Sequence, residues 1–499
     1  MTLRVADHRG LVVALDSLDI ACDRPLFEVF AELAREPFAV LLDSAAAPGS
    51  HSILAIAPAA VLTAWSSQRT AADGTAELEL RSWGSERFGA EAELQRWQGQ
   101  PFAELSQRLD AWSLPEALRA RVPVPFAGGA IGIAGYDAGR FCERMPERAQ
   151  RDLVLPELCF LFVDAVFVLE HASACLRLIV TGRGPDEASA RAACTQLRGA
   201  CVARFQQAVV AHADRGACKV GDVHAYVDEA AYCETVRAAQ EHILAGDVFE
   251  VCTSHRLDAS FSGEPWQLYA ALRAVSPAAF ACYLVTPWAS LLSSSPERFL
   301  CLTPERVAES RPIKGTRPRG ADAEEDARLR AELLASEKDR AENVMIVDLV
   351  RNDFGRVCEV DSIHVPELMI VEDHPRVFHM VSTVRGQLAP EHDAVDLFTA
   401  CFPPGSMTGA PKIEAMRIID ALEPYRRGLY SGAVGYFDAG GGMDFSVVIR
   451  SFVLTEGHCY FSVGGAVVAD SDPAAEYRET LDKARALLEA LAQLRAAAS

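Results

Sequence analysis

The chain has 499 residues, half of them hydrophobic, and a formal net charge of -21. That length and apolar content suffice to bury a large core, as two or three ordinary domains or one composite unit. The acidic balance excludes nucleic acid and anionic membrane as the main partner surface, because both require a positive face.

The opening residues, MTLRVADHRGLVVALDSLD, carry acids inside their apolar run and no small-residue cleavage site, so no secretory leader is expected and a cytoplasmic protein is. Residues 26–35 predict a short helix and 38–43 (FAVLLD) a strand. Residues 126–136 (FAGGAIGIAGY) alternate apolar residues with glycines, which predicts strands closely approached by another backbone. The longest apolar run, 158–169, is interrupted by Asp164 and is too short to cross a bilayer. With 175–181 it predicts a hairpin of strands buried on both faces. Residues 186–213 are Ala-rich and helical in pattern, and 214–222 form the best linker candidate. The expected division is therefore an N-terminal region, 1–222, and a second domain, 223–499, with the boundary near Val223.

Asp228 predicts an N-cap for a helix that ends at Gly246, and a strand follows over 248–253. Residues 280–285 and 289–293 predict a hairpin whose second strand runs into Ser295-Pro296-Glu297. Residues 311–320, RPIKGTRPRG, hold Arg311, Lys314, Arg317 and Arg319 between prolines and glycines, which predicts a shaped basic loop able to receive an anionic substrate. Residues 323–350 predict one or two helices. Residues 402–409 (FPPGSMTG) predict a loop opening onto a helix near Ala410. Strands are expected over 430–438, 444–455 and 458–468, and an amphipathic helix over 473–498. The class is α/β or α+β with much antiparallel sheet. Fourteen scattered cysteines without a C-x-x-C pair predict reduced thiols, with neither a disulfide framework nor a zinc site.

Several residue groups carry chemistry. A lysine held at Lys314 among other cations would lose proton affinity and become an amine nucleophile. Asp339 and Glu342 lie three apart on one helix, as do Glu476 and Glu479 on another, with Lys483 one turn further. Carboxylates so placed suit Mg²⁺, which takes one or two of them and keeps its other positions for water or substrate oxygens. Solvated helix faces with intrahelical ion pairs are the alternative. Ser406 and Thr408, with Gly405 and Gly409, precede a helix N-terminus where free amides favour an anion, though the GK[ST] end of a nucleotide P-loop is missing. Glu297, at a strand end, is a candidate acid or base, with helix or turn capping as the alternative.

RPIKGTRPRG, ENVMIVDLVRNDFGRV, FHMVSTVRG, FPPGSMTGAPKIEAMRIID, YSGAVGYF, MDFSVVIRS and GGAVVADSDPAAEYRETLDKA resemble, in this order, the motifs of the chorismate-binding enzymes, which include anthranilate and aminodeoxychorismate synthases. The resemblance spans roughly 223–488, and LLDSA and FAGGAIGIAGYD extend it into the N-terminal half. It implies two face-to-face, mainly antiparallel β-sheets with outer helices, and a Mg²⁺-dependent reaction on chorismate. It also implies Glu342 and Glu479 as Mg²⁺ ligands, with Asp339 and Glu476 beside them. Thr316, Arg317, Ser406, Thr408, Tyr430, Arg450, Lys483 and the amides near Gly464 and Gly465 are implied as substrate contacts. His379 is similar to the histidine beside the ring and its enolpyruvyl group.

Within the family, PIKGT resembles the aminodeoxychorismate branch, where anthranilate synthases usually read PIAGT. There the lysine attacks ring C2, Glu297 acts as general acid on the C4 hydroxyl, and ammonia then adds at C4. FEVCTS, SPAAFACYL and Ser406 in GSMTGAPK point the same way. Glu250 stands where isochorismate and salicylate synthases carry a lysine base, which disfavours water addition at C2. A glutaminase signature, a GxCxG elbow with a later His-x-Glu, does not occur, so a separate glutamine amidotransferase subunit is the expected ammonia source, and the product would lead to 4-aminobenzoate and folate. The LLDSA region resembles the part that binds tryptophan in relatives, which places Ser44 in a possible tryptophan site. The rival expectations are an anthranilate synthase component I and a non-catalytic binding subunit.

Overall fold

A computed structural model of the chain describes residues 11–45, 51–66, 74–84, 87–88, 90–211, 216–374 and 377–498. The opening residues 1–10, on which the absence of a leader was argued, and 212–215 of the expected linker lie outside them. Two sheets organise the described residues. In neighbour order one runs Val12–Ile20, Cys175–Gly184, Ala165–Glu170, His51–Ala55, Val40–Asp43, Phe280–Val285, Ser290–Ser295, Ser451–Thr455, His458–Val467, Glu250–Ser262 and Lys219–Val220. The short strands His224–Ala225 and Gly409–Ala410 also pair with Glu250–Ser262. The other runs Ile313–Pro318, Val377–Gln387, Val307–Ser310, Arg298–Leu302, Met443–Val447, Ala433–Asp438, Gly129–Ala134, Leu158–Val163, Ala60–Trp65, Ala76–Ser82 and Glu93–Gly99, with His364–Asp373 on Val377–Gln387. Among the described residues the ladders are antiparallel.

The sheets pack face to face. Val40, Leu284 and Leu291 of the first share one buried cluster with Val61, Ile131, Leu161 and Val434 of the second. The outer face of the first sheet is covered by helices Leu26–Leu33, Glu187–Val210, Pro265–Val275 and Pro473–Ala498, which contribute Phe30, Phe205, Leu272 and Leu487 to a second cluster. The outer face of the other is covered by Pro101–Trp112, Glu337–Phe354 and Ala394–Cys401, through Phe102, Ile346 and Phe398. Burying both faces of both sheets is what the apolar strand runs require. This is the expected class, two mainly antiparallel sheets with outer helices.

Local chemistry explains the element ends. Asp186 and Asp228 accept from Ser189 and Ala231 backbone N–H groups as N-caps, and Gly246 closes its helix at φ +85°. Residues 323–350 form two helices, Ala323–Ala335 and Glu337–Phe354, because Ser336 breaks the first and caps the second. The glycine-rich strand Gly129–Ala134 lies so close to its neighbour that a Cβ on Gly132 would sit 2.0 Å from the Cys159 carbonyl oxygen.

Three expectations are corrected. The run 158–169 is not one arm of a hairpin: Leu158–Val163 belongs to the second sheet and Ala165–Glu170 to the first. The chain changes sheets at Asp164, whose carboxylate pairs with Arg87, because a charge cannot continue a strand buried on both faces. Only the second half pairs with Cys175–Gly184. The basic stretch is a strand, Ile313–Pro318, not a loop, with its register against Val377–Gln387 shifted around Gly315 (φ +83°). The helix expected near Ala410 begins at Lys412, since Gly409–Ala410 is drawn into pairing with Glu250–Ser262. As for the boundary near Val223, it falls between Lys219–Val220 and His224–Ala225, and strands from both sides of it are neighbours in each sheet.

Candidate active site

Two sheet-to-sheet crossings lie side by side. Pro296 and Glu297 link Ser290–Ser295 of the first sheet to Arg298–Leu302 of the second, and Ile449 and Arg450 lie on the return from Met443–Val447 to Ser451–Thr455. Their backbones are tied by Ser294 N–H donating to the Arg450 carbonyl at 3.1 Å and Val447 N–H donating to the Glu297 carbonyl at 3.1 Å. All four residues line a cavity of about 580 Å³. Lys314 and Thr316 from one sheet edge, Gly464 from the other sheet, Glu342 from helix Glu337–Phe354 and Glu479 and Lys483 from helix Pro473–Ala498 complete the enclosure.

Lys314 is buried, and its Nζ donates to Glu250 Oε1 at 2.6 Å, with Glu342 Oε2 at 3.7 Å. Glu250 is fully buried at the start of Glu250–Ser262, and its other oxygen has no partner. The expectation of a lysine depressed by neighbouring cations is therefore corrected. Burial disfavours the ammonium, but Glu250 and Glu342 outweigh it and raise its proton affinity. The arginines that flank it in sequence are neutralised elsewhere: Arg311 by Glu372, Arg317 by Glu332 and Asp339, and Arg319 by Asp326. Of the three, only Arg317 lines the cavity, so the basic stretch itself offers no free basic pocket.

Glu297 is buried, and burial pushes its carboxyl up to about 7, against a hydrogen bond from Ser406 and the charges of Lys314 and Lys483. A carboxyl held there is half protonated near neutrality, as a general acid requires. Glu342 is raised to about 7 as well, by burial, against Lys314 and Lys338. Burial also opposes ionisation of Glu479, but Lys483, 2.9 Å away, outweighs it and holds that carboxyl below its usual range.

Lys338, a residue the sequence reading passed over, reaches both acid-bearing helices. Its Nζ lies 3.8 Å from Glu342 Oε1 and 3.3 Å from Glu476 Oε1. Glu476 Oε1 also accepts from Ser471 Oγ at 2.7 Å, while its buried Oε2 has no partner. An ammonium thus stands among the carboxylates, one of whose oxygens is buried and unsatisfied, and the donor set fits a cation. Among the described residues no three His, Cys, Asp or Glu side chains converge as a cage.

Groups able to hold an anion line the same cavity. Arg450 lines the cavity at φ +52°, and among the described residues its guanidinium has no hydrogen-bond or ion-pair partner. Burial lowers its proton affinity. Tyr430 is buried beside it on the wall, and Lys483 Nζ donates to the Gly464 carbonyl at 2.8 Å. His379 pairs across the ladder with Thr316, and its Nδ1 is buried without a partner. Burial pushes the imidazole down to about 4, so it is neutral at physiological pH.

The structure brings Lys314, Glu297, His379, Thr316, Arg317, Ser406, Tyr430, Arg450, Gly464, Lys483, Glu342, Glu479 and Asp339 onto one cavity wall. Four expected residues are not on it. The Thr408 hydroxyl is buried against the Pro404 and Gly405 carbonyls. Gly465 faces Glu476, whose Oε2 a Cβ there would meet at 3.1 Å, and Glu476 itself lies behind Lys338. Ser44 follows strand Val40–Asp43, where its backbone N–H donates to Ser52 Oγ at 3.3 Å. Beside it Asp43 is buried and taken by Ser52, Tyr269 and Arg273.

Residues 40–489 match the family described as chorismate binding enzyme. Over 93% of its length the chain is 38% identical to aminodeoxychorismate synthase component 1 of Klebsiella aerogenes, covering 95% of that protein. It is 43% identical over 74% of its length to anthranilate synthase component 1 of Thermus thermophilus, covering 78% of it. Its fold is similar to the crystal structure of anthranilate synthase component I from Streptococcus pneumoniae, at TM-score 0.73 and 28% identity over 88% of this chain and 92% of that one. The menaquinone-specific isochorismate synthase of Escherichia coli shares the fold at TM-score 0.67 and 16% identity, over 96% of this chain and 94% of that one.

Proposed function

We propose, from the premise that the chain belongs to the chorismate binding enzymes, that it aminates chorismate at C4 to 4-amino-4-deoxychorismate with ammonia from a separate glutamine amidotransferase subunit. The observation that carries this reading is Lys314: a buried amine on the cavity wall with a carboxylate, Glu250, at 2.6 Å. As placed it is held as an ammonium, and the carboxylate at hydrogen-bond distance is the group that can take its proton and free the nucleophile.

The residues have the following roles. Arg450, Tyr430 and Lys483 bind the substrate carboxylates, and the neutral His379 packs beside the ring. Glu250 takes the proton from the Lys314 ammonium, and the freed Nζ bonds to ring C2. Both ring double bonds shift, C1=C2 to C1=C6 and C5=C6 to C4=C5, and the C4–O bond breaks as Glu297 gives its proton to the departing hydroxyl, which leaves as water. Ammonia then bonds to C4 and gives a proton to the Glu297 carboxylate, both double bonds shift back, and the C2–N bond breaks, its electron pair returning to Lys314, which recovers its proton from Glu250. One hard displacement becomes two allylic ones. Glu342 and Glu479, with Asp339 nearby, would hold Mg²⁺, whose charge offsets that of the substrate carboxylates.

The rival, amination at C2 with loss of pyruvate, draws on the 43% identity to the Thermus anthranilate synthase component. Lys314 argues against it, because an amine on the cavity wall there would occupy the space from which ammonia should approach C2. The component 1 names of the relatives support a partner subunit. Further proposals are that the product leads to 4-aminobenzoate and folate, and that the Ser44 region takes tryptophan.

The test is to mix the protein with chorismate and Mg²⁺ without ammonia, quench, and map the modified peptide by mass spectrometry. A mass gain of chorismate less water on Lys314, absent in Lys314→Ala, supports the covalent route. Full turnover by Lys314→Ala at low ammonia would refute it.

A further inference from the structure

Lys338 lies half-exposed in the first turn of helix Glu337–Phe354, at the cavity wall. Its ammonium joins two helices that no backbone ladder connects: Glu342, one turn on along its own helix at 3.8 Å, and Glu476, at 3.3 Å, on the terminal helix that also bears Glu479. The charges acting on it are Glu342 on its own helix and Glu476 and Glu479 on the terminal helix; Glu479 is also paired with Lys483, Asp339 with Arg317, and Lys314, 3.7 Å from Glu342, with Glu250. Glu342 and Glu476 therefore share the one ammonium of Lys338, while Asp339 and Glu479 have cations of their own. Glu476 is 3% exposed and leaves Oε2 unsatisfied, so the shared ammonium does not meet all the acceptor demand of this pair.

We infer that Lys338 is a tethered counter-cation that holds the two acid-bearing helices together in the metal-free protein and swings out to solvent when a divalent cation takes its place. The inference rests on the magnesium reading above and goes beyond it, by making metal binding an exchange of cations rather than an addition. Both parts follow from the chemistry of the side chain. A lysine ammonium is a compact charge on a four-carbon stem, here half-exposed, so it can retreat without dragging the helix. A divalent ion beside the same carboxylates repels it, and the better-coordinated charge stays. The consequence is a site tuned to load weakly on its own and tightly once substrate oxygens add to the metal's shell.

The experiment is a titration with Mn²⁺, a paramagnetic substitute for Mg²⁺, followed by the free-ion resonance signal in the absence of chorismate, with Mg²⁺ as competitor. Lys338→Met keeps the stem and removes the charge, and Lys338→Arg keeps the charge. A half-exposed ion pair is worth up to about 1 kcal/mol, so Lys338→Met should bind Mn²⁺ roughly two- to fivefold more tightly than the native chain, while Lys338→Arg stays near native. The metal-free Met variant should also melt lower than native, with Mg²⁺ restoring the difference. Should Lys338→Met not fold, Lys338→Gln serves the same comparison. Equal or weaker Mn²⁺ binding in the folded, charge-free variant overturns the exchange while leaving the magnesium reading intact. No Mn²⁺ binding by any of the chains overturns the magnesium reading and the exchange with it.

Discussion

Arg450→Met separates binding from stability. The guanidinium lines the cavity with no partner among the described residues and bears the cost of partial burial without return in the free protein. A substrate carboxylate would supply the missing partner. Charge-assisted hydrogen bonds of this kind contribute about 1.5–3 kcal/mol, so the variant should bind chorismate roughly ten- to 150-fold more weakly. Met retains the strained φ of +52° while shedding the charge, so the free protein should be as stable as native or more so, by up to about 1 kcal/mol. Calorimetric titration with chorismate in the presence of Mg²⁺ reads the first effect, and a thermal melt without ligand the second. Chorismate affinity within twofold of native, or a clear drop in melting temperature, would show that Arg450 is a structural cation and refute the reasoning.

Glu297 predicts a pH limb. Its carboxyl is raised from the ordinary carboxylate range to about 7, and the protonated form is the one that works, so adduct formation on Lys314 should be flat below that value and fall as pH rises through it. Measuring the ammonia-free step keeps the titration of ammonia out of the profile; a rate that climbs above pH 7, or a limb that survives in Glu297→Gln, would count against the acid role. Glu250→Gln preserves the shape beside Lys314 but cannot take its proton, and adduct formation should slow by roughly 10²–10⁴-fold in rapid-quench experiments. An undiminished rate would leave Glu250 a mere counter-ion. Arg427 is buried, bonds to Glu423 at 2.6 Å and to the Cys252 and Met407 carbonyls at 2.6 and 2.7 Å, behind the cavity floor. Arg427→Ala leaves the buried Glu423 charge without its cation, held only by the Ser254 N–H and hydroxyl, and should cost about 3–5 kcal/mol in denaturant unfolding; a loss below about 1 kcal/mol would show that this buried pair contributes little to stability.

What could be read from the sequence was local. Asp186, Asp228 and Gly246 mark helix ends because their side-chain or backbone chemistry acts within four residues, and all three stand at those ends. Asp164 was visible as a break in an apolar run, but its meaning, a change of sheet, depends on which partners flank each half. The Lys314 motif was visible too, yet its electrostatic state was misread. Its partner Glu250 is 64 residues away and on the other sheet, a pairing that no spacing rule reports. The neighbouring arginines, which suggested a depressed lysine, turn to carboxylates of their own. Lys338 did leave a signal, its i,i+4 spacing to Glu342, but such pairs are common on solvated helices, and only the reach to Glu476 gives this one a role. Thr408 and Gly465 belong to motifs whose neighbours, Ser406 and Gly464, are the ones facing the cavity.

The central claim, amination at C4 rather than C2, is tested most directly by the product. The protein is mixed with chorismate, Mg²⁺ and ammonium, with and without an added aminodeoxychorismate lyase. The account predicts 4-aminobenzoate only when the lyase is present. Fluorescent anthranilate with free pyruvate, formed without the lyase, would contradict it.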